Sequence, residues 1–397
     1  MTPGARIAAA IGILDAVLAG TPAEQALTNW ARASRFAGSG DRAAVRDHVF
    51  DALRCRRSFG ALGGGGDTAD GRALMIGALR SAGIEPDMLF TGAGHAPAPL
   101  TDAERAVSVA PGTLPAPVAC DCPDWLWPRI EASLGAGAAE ALTRMQARAP
   151  VFLRVNLART DVAGAKAALE AAGIATGPAP LAPAALRVTA GAAKLRAAAP
   201  YLEGLVELQD VAPQAAVAML PLRPGMRVLD YCAGGGGKAL AMAAAEPALK
   251  IWAHDADPAR MRDLPARAAR AGARIATLAT GELAATTFDL VVTDVPCSGT
   301  GTWARTPDAK WRLTPARLDG LVRIQRGIVA AAARLVRPGG ALAYMTCSVL
   351  REENEDRIAD FLAAATGWKQ RDQRRFSPAE GGDGFFVSIL TRENSQG

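Results

Sequence analysis

Two thiols stand where a strand gives way to a turn. Residues 288–302 read FDLVVTDVPCSGTGT: Leu290 to Thr293 form a short apolar run, and Asp294-Val295-Pro296-Cys297-Ser298-Gly299 ends it abruptly. A carboxylate, a rigid proline and a thiol are thereby delivered together at the carboxyl end of a strand, the edge where open α/β sheets bind their ligands. A second strand-like run, residues 341–345, ends the same way in Thr346-Cys347-Ser348. The pattern predicts that Cys297 and Cys347 meet over one substrate. Two buried packing cysteines would be the alternative, but each of these follows a strand and carries its own motif.

A third stretch has the make-up of a cofactor loop. After strand-like residues 227–230, Tyr231-Cys232-Ala233-Gly234-Gly235-Gly236-Gly237-Lys238 leads into a helix over 239–245. Glycines let the backbone approach a ligand closely and leave helix N–H groups free. A P-loop does not fit, because Lys238 is followed by Ala239 and Cys232 occupies the place of its first glycine. The turn is also too glycine-dense and wrongly spaced for a dinucleotide fingerprint. Asp255, closing the next strand, is the acidic residue a ribose diol needs. These features alone suit several nucleotide cofactors.

The elements that must position these groups alternate regularly. Strands are expected at 227–230, 251–255, 274–278, 289–293, 341–345, 368–371 and 385–390. Helices are expected at 239–245, 258–271, 318–335 (ended by Pro338-Gly339-Gly340) and 352–366. This is the pattern of an α/β fold with a mostly parallel sheet covered on both faces. Upstream, residues 124–210 read as a small α/β module, with helices at 125–148 and 162–172 and strands at 151–156 and 186–189. There Arg154 and Asn156 read as ordinary edge residues. Residues 1 to 60 read as three helices, 6–18, 22–37 and 41–59, the last with Asp41 as N-cap. Arg42, Arg46, Arg54, Arg56 and Arg57 crowd that last helix as a solvated face or a phosphate-binding one. Gly63 to Gly66 read as a flexible loop, and aperiodic prolines over 97–123 as a linker. Cys120-Asp121-Cys122 is half a metal site with no second ligand pair at a suitable distance, and reads as structural. The boundaries that follow are 1–110, 120–210 and 211–397.

With 397 residues, half of them apolar and 21% charged, the chain is globular rather than disordered and long enough for two or three domains. A net charge of +5 leans towards a polyanionic partner, or is neutral decoration. Six unevenly spaced cysteines argue for reduced thiols and a cytoplasmic setting. Asp15 interrupts the first apolar run, so it does not read as a secretory leader, and no window approaches the roughly 18 apolar residues of a membrane span.

VLDYCAGGGGK, HDAD, TDVPCSGTGTWARTPDAKWR and YMTCSVLREENE occur in an order and spacing that resembles the RNA (cytosine-5)-methyltransferases of the Sun/Fmu family. LEGLVELQDVAPQ, residues 202–214, resembles the segment leading into that domain. The helical N-terminus is similar, more loosely, to the NusB-like domain of family members that modify small-subunit ribosomal RNA. The resemblance implies a Rossmann-like, seven-stranded methyltransferase domain, preceded by a small α/β RNA-binding module and an all-helical N-terminal domain. It implies S-adenosylmethionine as cofactor, RNA as partner with 16S rRNA foremost, no metal, no membrane, and a monomer.

The roles of the two cysteines and of Asp294 follow from the same resemblance, and those of Lys238 and the cation–aromatic set after Cys297 from residue type and position. C5 of cytosine is too poor a nucleophile to take a methyl group directly, so a thiolate first adds to C6. Cys347 is implied as that nucleophile, Cys297 as the releasing residue, and Asp294 as a partner of the pyrimidine edge. Lys238 is the expected source of positive charge near the thiolate. Cofactor contacts are implied at Cys232, Ala233, Gly234, Gly235, Gly236, Gly237, Lys238, Asp255, Arg260 and Asp294. The glycine loop lacks the family's proline, and Thr280-Gly281, with Glu282 displaced, stands where an acidic residue is expected. Arg305, Lys310, Trp311 and Arg312 are expected to hold RNA by phosphate contact and stacking, a solvated loop being the alternative. Two rival readings keep their place: the same chemistry on tRNA or with the cysteine roles exchanged, and a non-catalytic RNA-binding assembly factor.

Overall fold

The computed structural model describes residues 1–179 and 181–394, without the side chains of 284 and 285. The chain divides into two units. One comprises Met1–Arg148 with Trp303–Leu313; the other comprises Ala149–Thr302 with Thr314–Gly397. Residues 125–148 fall in the first unit, and the strands of the small α/β module in the second.

The first unit is helical. Its opening helix, Pro3–Leu18, starts where Thr2 accepts the Ala5 N–H at 3.2 Å, and it buries Ile7, Ala10, Ile13 and Leu14. The helix Gly71–Ser81 is capped by Asp70 and contributes Leu74, Met75, Ile76 and Leu79 to the same core. Asp41 is not an N-cap: the helix Ser39–Arg54 begins earlier, at Gly38, and Asp41 instead pairs with the terminal amine and Arg6. A break at Cys55 separates it from a second helix, Arg56–Leu62. The glycine run is close-packed at its start, where a Cβ at Gly63 would lie 1.9 Å from the Ala73 carbonyl oxygen, and open at Gly66.

Asp121 ties this unit together. It is fully buried at φ 51°, and it accepts the N–H groups of Arg57 and Ser58 at 2.8 and 2.9 Å, the Ser58 hydroxyl and the Gln146 amide. Burial pushes the flanking Cys122 thiol up to about 12, as it does Cys55, so both are inert thiols.

The second unit carries two sheets. In the smaller, β1 (Val151–Val155), β2 (Ala175–Pro178), β3 (Ala185–Ala190) and β4 (Val206–Leu208) are antiparallel in the order β2-β3-β1-β4. β1 is thus interior, which corrects the reading of Arg154 and Asn156 as edge residues. Both are buried, and Asn156 donates to the carbonyls of Gly204 and Ala271 at 3.0 and 2.8 Å. β2 contains Gly177 and Pro178, so propensity could not reveal it.

The larger sheet comprises β5 (Arg227–Asp230), β6 (Lys250–Ala253), β7 (Ile275–Thr277), β8 (Phe288–Asp294), β9 (Val336–Thr346), β10 (Trp368–Phe376) and β11 (Phe385–Arg392). Their order is β10-β11-β9-β8-β5-β6-β7, parallel from β9 to β7 and antiparallel at β11 and β10. Successive strands step outward in opposite directions from β5 and β8, so the topological switch point lies between these two strands, where such sheets open a ligand crevice at their carboxyl ends. Pro338-Gly339-Gly340 does not lie outside the sheet. The helix Pro315–Arg334 stops earlier, and a register shift between Phe288 and Leu290 absorbs these residues into β9. One face of the sheet packs Val228, Leu290, Ala343 and Val387 against the helix Val211–Ala218; Val291, Leu342, Tyr344 and Phe386 pack the other. Among the described residues no helix is long and apolar enough to cross a membrane.

Candidate active site

β5 ends in Asp230, and the chain turns through residues 231–236 into the helix Gly237–Ala245. The turn needs left-handed backbone at Gly234 and Gly236, with φ of 50° and 79°. Asp230 lies wholly buried beneath it: Oδ2 accepts the Ala239 N–H at 3.0 Å, while Oδ1 has no partner among the described residues. Burial pushes its pKa up to about 7. Asp255 is buried and accepts the N–H groups of Gly234 and Asp257 at 2.9 and 3.0 Å, with Arg260 at 3.2 Å. Burial pushes the Cys232 thiol well up, which leaves it protonated. Glu282 accepts the Ala279 N–H, and Thr280 meets the buried His254 ring at 3.1 Å.

The small module braces this turn from behind. Arg154 donates to Gln209 at 2.6 Å and to the Gly237 carbonyl at 3.0 Å. Arg267 donates to the Gly235 carbonyl and pairs with Glu207 on β4, which also holds Arg270 at 2.8 Å. Residues that read as a plain sheet edge therefore fix the backbone of the glycine loop.

The register of β8 on β9 sets Thr293 opposite Tyr344 and Asp294 opposite Met345. Beyond the strand ends, the Val295 N–H donates to the Met345 carbonyl at 3.0 Å and the Gly301 N–H to the Cys347 carbonyl at 2.9 Å. The two loops stay paired, and the sulfurs of Cys297 and Cys347 come to 3.3 Å. Both are half-buried free thiols. The hydrogen bond to Cys347, then burial and the charges of Cys347 and Glu353, push the Cys297 thiol well above its ordinary range. Lys238 forms an ion pair with Asp294, its Nζ 5.4 Å from the Phe385 ring centroid. Burial alone would lower the lysine's pKa, but Asp294 outweighs it and the value is raised. Lys238 thus stays cationic between the glycine loop and the two thiols.

A polar network behind the thiols escaped sequence reasoning. Glu353 is fully buried and accepts the Ser298 N–H at 2.8 Å, the Gln325 amide at 2.9 Å and the hydroxyls of Ser298 and Ser348. Gln325 also reaches the Pro296 carbonyl at 3.0 Å, and Asn354 joins the Thr346 hydroxyl and the Ser348 carbonyl at 2.6 and 2.9 Å. The available signal was a serine directly after each cysteine and an acidic pair just beyond the second.

The cation–aromatic set after Cys297 is divided. Lys310 is 3% exposed, donates to the Arg54 carbonyl at 3.0 Å and lies 4.8 Å from the Trp311 ring centroid. Trp311 donates to the Leu53 carbonyl at 2.7 Å. The expectation that Lys310 holds RNA phosphate is therefore corrected, because its ammonium is spent inside the helical unit; the indole N–H of Trp311 is likewise occupied. Arg305 and Arg312 are exposed, Arg312 pairing with Asp308 at 2.9 Å.

Chemically, the sheet edge at the switch point combines a glycine cradle, a lysine–aspartate pair and two touching thiols, one of them held protonated. Such a set can add a thiolate to an electrophilic carbon and return a proton. A sequence profile described as 16S rRNA methyltransferase RsmB/F matches residues 217–391, and one for the ferredoxin-like domain of RsmF/B-like methyltransferases matches residues 122–193. The ribosomal RNA small subunit methyltransferase B of Xylella fastidiosa is 35% identical over 289 residues, 68% of this chain and 68% of the relative. The crystal structure of PH0851 is similar with a TM-score of 0.76 and 22% identity over 98% of this chain and 99% of its own. A methyltransferase homolog protein from Pyrococcus horikoshii gives 0.62 and 22% over 72% of this chain and 100% of its own, a likeness of fold.

Proposed function

The chain belongs to the RsmB/F family of 16S rRNA methyltransferases, and from that premise we propose that it methylates C5 of a cytosine in 16S rRNA through a covalent bond between Cys347 and C6. The observation that carries the mechanism is the 3.3 Å approach of two thiols beside the Lys238–Asp294 pair. The Cys347 sulfur adds to C6 as thiolate, which makes C5 nucleophilic. Asp294, aligned by Lys238, meets the N3 edge of the base. Cys297 holds its proton beside the attacking sulfur; after methyl transfer the C5 proton is lost to solvent, the C6–S bond breaks with its electron pair returning to the Cys347 sulfur, and Cys297 assists release by donating its proton to that sulfur.

The residues of the glycine turn fit S-adenosylmethionine, which when bound supplies the electrophilic methyl group. Residues 232–238 form a cradle whose backbone is open to a ligand, Asp255 with Arg260 borders it, and the orphaned Oδ1 of Asp230 is a buried acceptor for a cationic donor. Glu282, displaced from the position where the acidic residue is expected, is engaged with the Ala279 N–H. Exposed Arg305 and Arg312, in the segment of the helical unit that follows Cys297 in sequence, support RNA phosphate contact. Free thiols throughout the described residues support a cytoplasmic setting.

Two variants test the roles. Cys297→Ala should accumulate a covalent protein–RNA adduct on denaturing gels, and Cys347→Ala should form none. The reverse pattern would exchange the two assignments. Bisulfite sequencing of 16S rRNA from cells lacking the gene should show one cytosine losing its protection. Persistence of every protected site, together with no S-adenosylhomocysteine binding by calorimetry, would favour an assembly factor instead.

A further inference from the structure

We propose that Glu353 is a positioning residue for the two thiols: by holding the serine that follows each cysteine, one buried carboxylate sets the separation and orientation of Cys297 and Cys347. The inference rests on the reading that these two cysteines carry the chemistry. Cys297-Ser298 and Cys347-Ser348 are the same dipeptide, placed at the ends of adjacent parallel strands. Both serine hydroxyls donate to Glu353, and Thr300 closes the set at 3.2 Å from Ser298 Oγ and 3.0 Å from Ser348 Oγ. The Ser298 N–H adds a backbone bond at 2.8 Å, so the Cys297 loop is held through main chain and side chain alike.

The chemistry of Glu353 exceeds what packing requires. It is fully buried, and among the described residues no basic side chain forms an ion pair with it. A buried carboxylate is tolerated only where its lone pairs are filled, and the donors filling these come from both cysteine loops and from Gln325, which also grips Pro296 beside Cys297. A neutral residue would fill the space at less cost. The charge has a consequence next door, since it helps hold Cys297 protonated beside Cys347. The titratable groups around the pair are Glu353, Asp294, Lys238 and Tyr344. Of these Glu353 alone is bonded to the chain on both sides.

The test uses the full chain as Glu353→Gln, with three readouts: S-adenosylhomocysteine affinity, single-turnover methyl transfer to 16S rRNA, and the pH profile of iodoacetamide alkylation at each cysteine. Expected are unchanged cofactor affinity, transfer slower by roughly tenfold to a hundredfold from misplaced sulfurs, and a Cys297 alkylation midpoint moved to lower pH. Ser298→Ala, which keeps the backbone bond, should move the same readouts less far. A folded Glu353→Gln protein with wild-type transfer and alkylation overturns the proposal. Should that variant fail to fold, wild-type values in Ser298→Ala overturn it instead. If Cys347→Ala still methylates RNA, the underlying mechanism fails, while the alkylation profile separately reports whether Glu353 governs the pair.

Discussion

At the scale of single residues, one buried acid ties stability to pH. Asp230 has an ordinary value of 3.8 and is raised to about 7 by burial beneath the glycine turn. An acid whose folded pKa exceeds its unfolded one binds the proton more tightly in the native state. Its contribution to stability is therefore fully present below about pH 4 and is lost as pH rises to about 7, at up to ~1.4 kcal/mol per pH unit. Asp230→Asn keeps an acceptor for the Ala239 N–H and removes the titration. Urea unfolding at pH 5 and pH 7.5 should show wild type losing stability relative to this variant, and parallel curves would contradict the burial argument. The sequence located Cys297, Cys347, Asp294 and Lys238 because each closes or follows an apolar run. It could not locate Glu353, whose role depends on donors 28 and 55 positions away.

At the scale of elements, the glycine turn is the most constrained piece of backbone. Gly236 combines φ of 79° with a Cβ position 2.2 Å from Leu264 Cδ1, so alanine there meets both strain and a clash. Gly236→Ala should cost about 1–3 kcal/mol in stability and weaken S-adenosylhomocysteine binding, measured by calorimetry. Gly281→Ala is the control, since nothing lies within 4 Å of its Cβ position. The interior parallel strands β5, β8 and β9 are legible because strands buried on both faces are near-continuous apolar runs. β2, β4 and the exposed polar stretch of β10 were not recognised at their full extent, because pairing partners and not propensity make them strands.

At the scale of the whole molecule, a stretch that reads as a linker is packed. Prolines over 97–123 suggested a linker, yet Asp121 in that stretch joins Arg57, Ser58 and Gln146. Asp121→Ala leaves two N–H groups, a hydroxyl and an amide without their acceptor, and should destabilise the helical unit by roughly 2–4 kcal/mol in urea unfolding. Asp47→Ala, which removes only the exposed pair with Arg148, should cost less than about 1 kcal/mol. Equal effects would contradict the reading of Asp121 as the tie. Trp303–Leu313 follows the catalytic loop in sequence but belongs with the helical unit, where the ammonium of Lys310 is buried against the Arg54 carbonyl.

Local order and residue type were enough to determine a parallel α/β sheet, a glycine loop after its first strand and two thiols at strand ends, because periodicity and turn chemistry are properties of neighbouring residues. Which groups face one another was decided by tertiary structure. Strand register brought sulfurs 50 positions apart to 3.3 Å, and the hydrogen bond this allows, with burial, raises the Cys297 thiol well above its ordinary range. Both depend on distances and desolvation between segments remote in the chain, which no pattern of adjacent residues encodes.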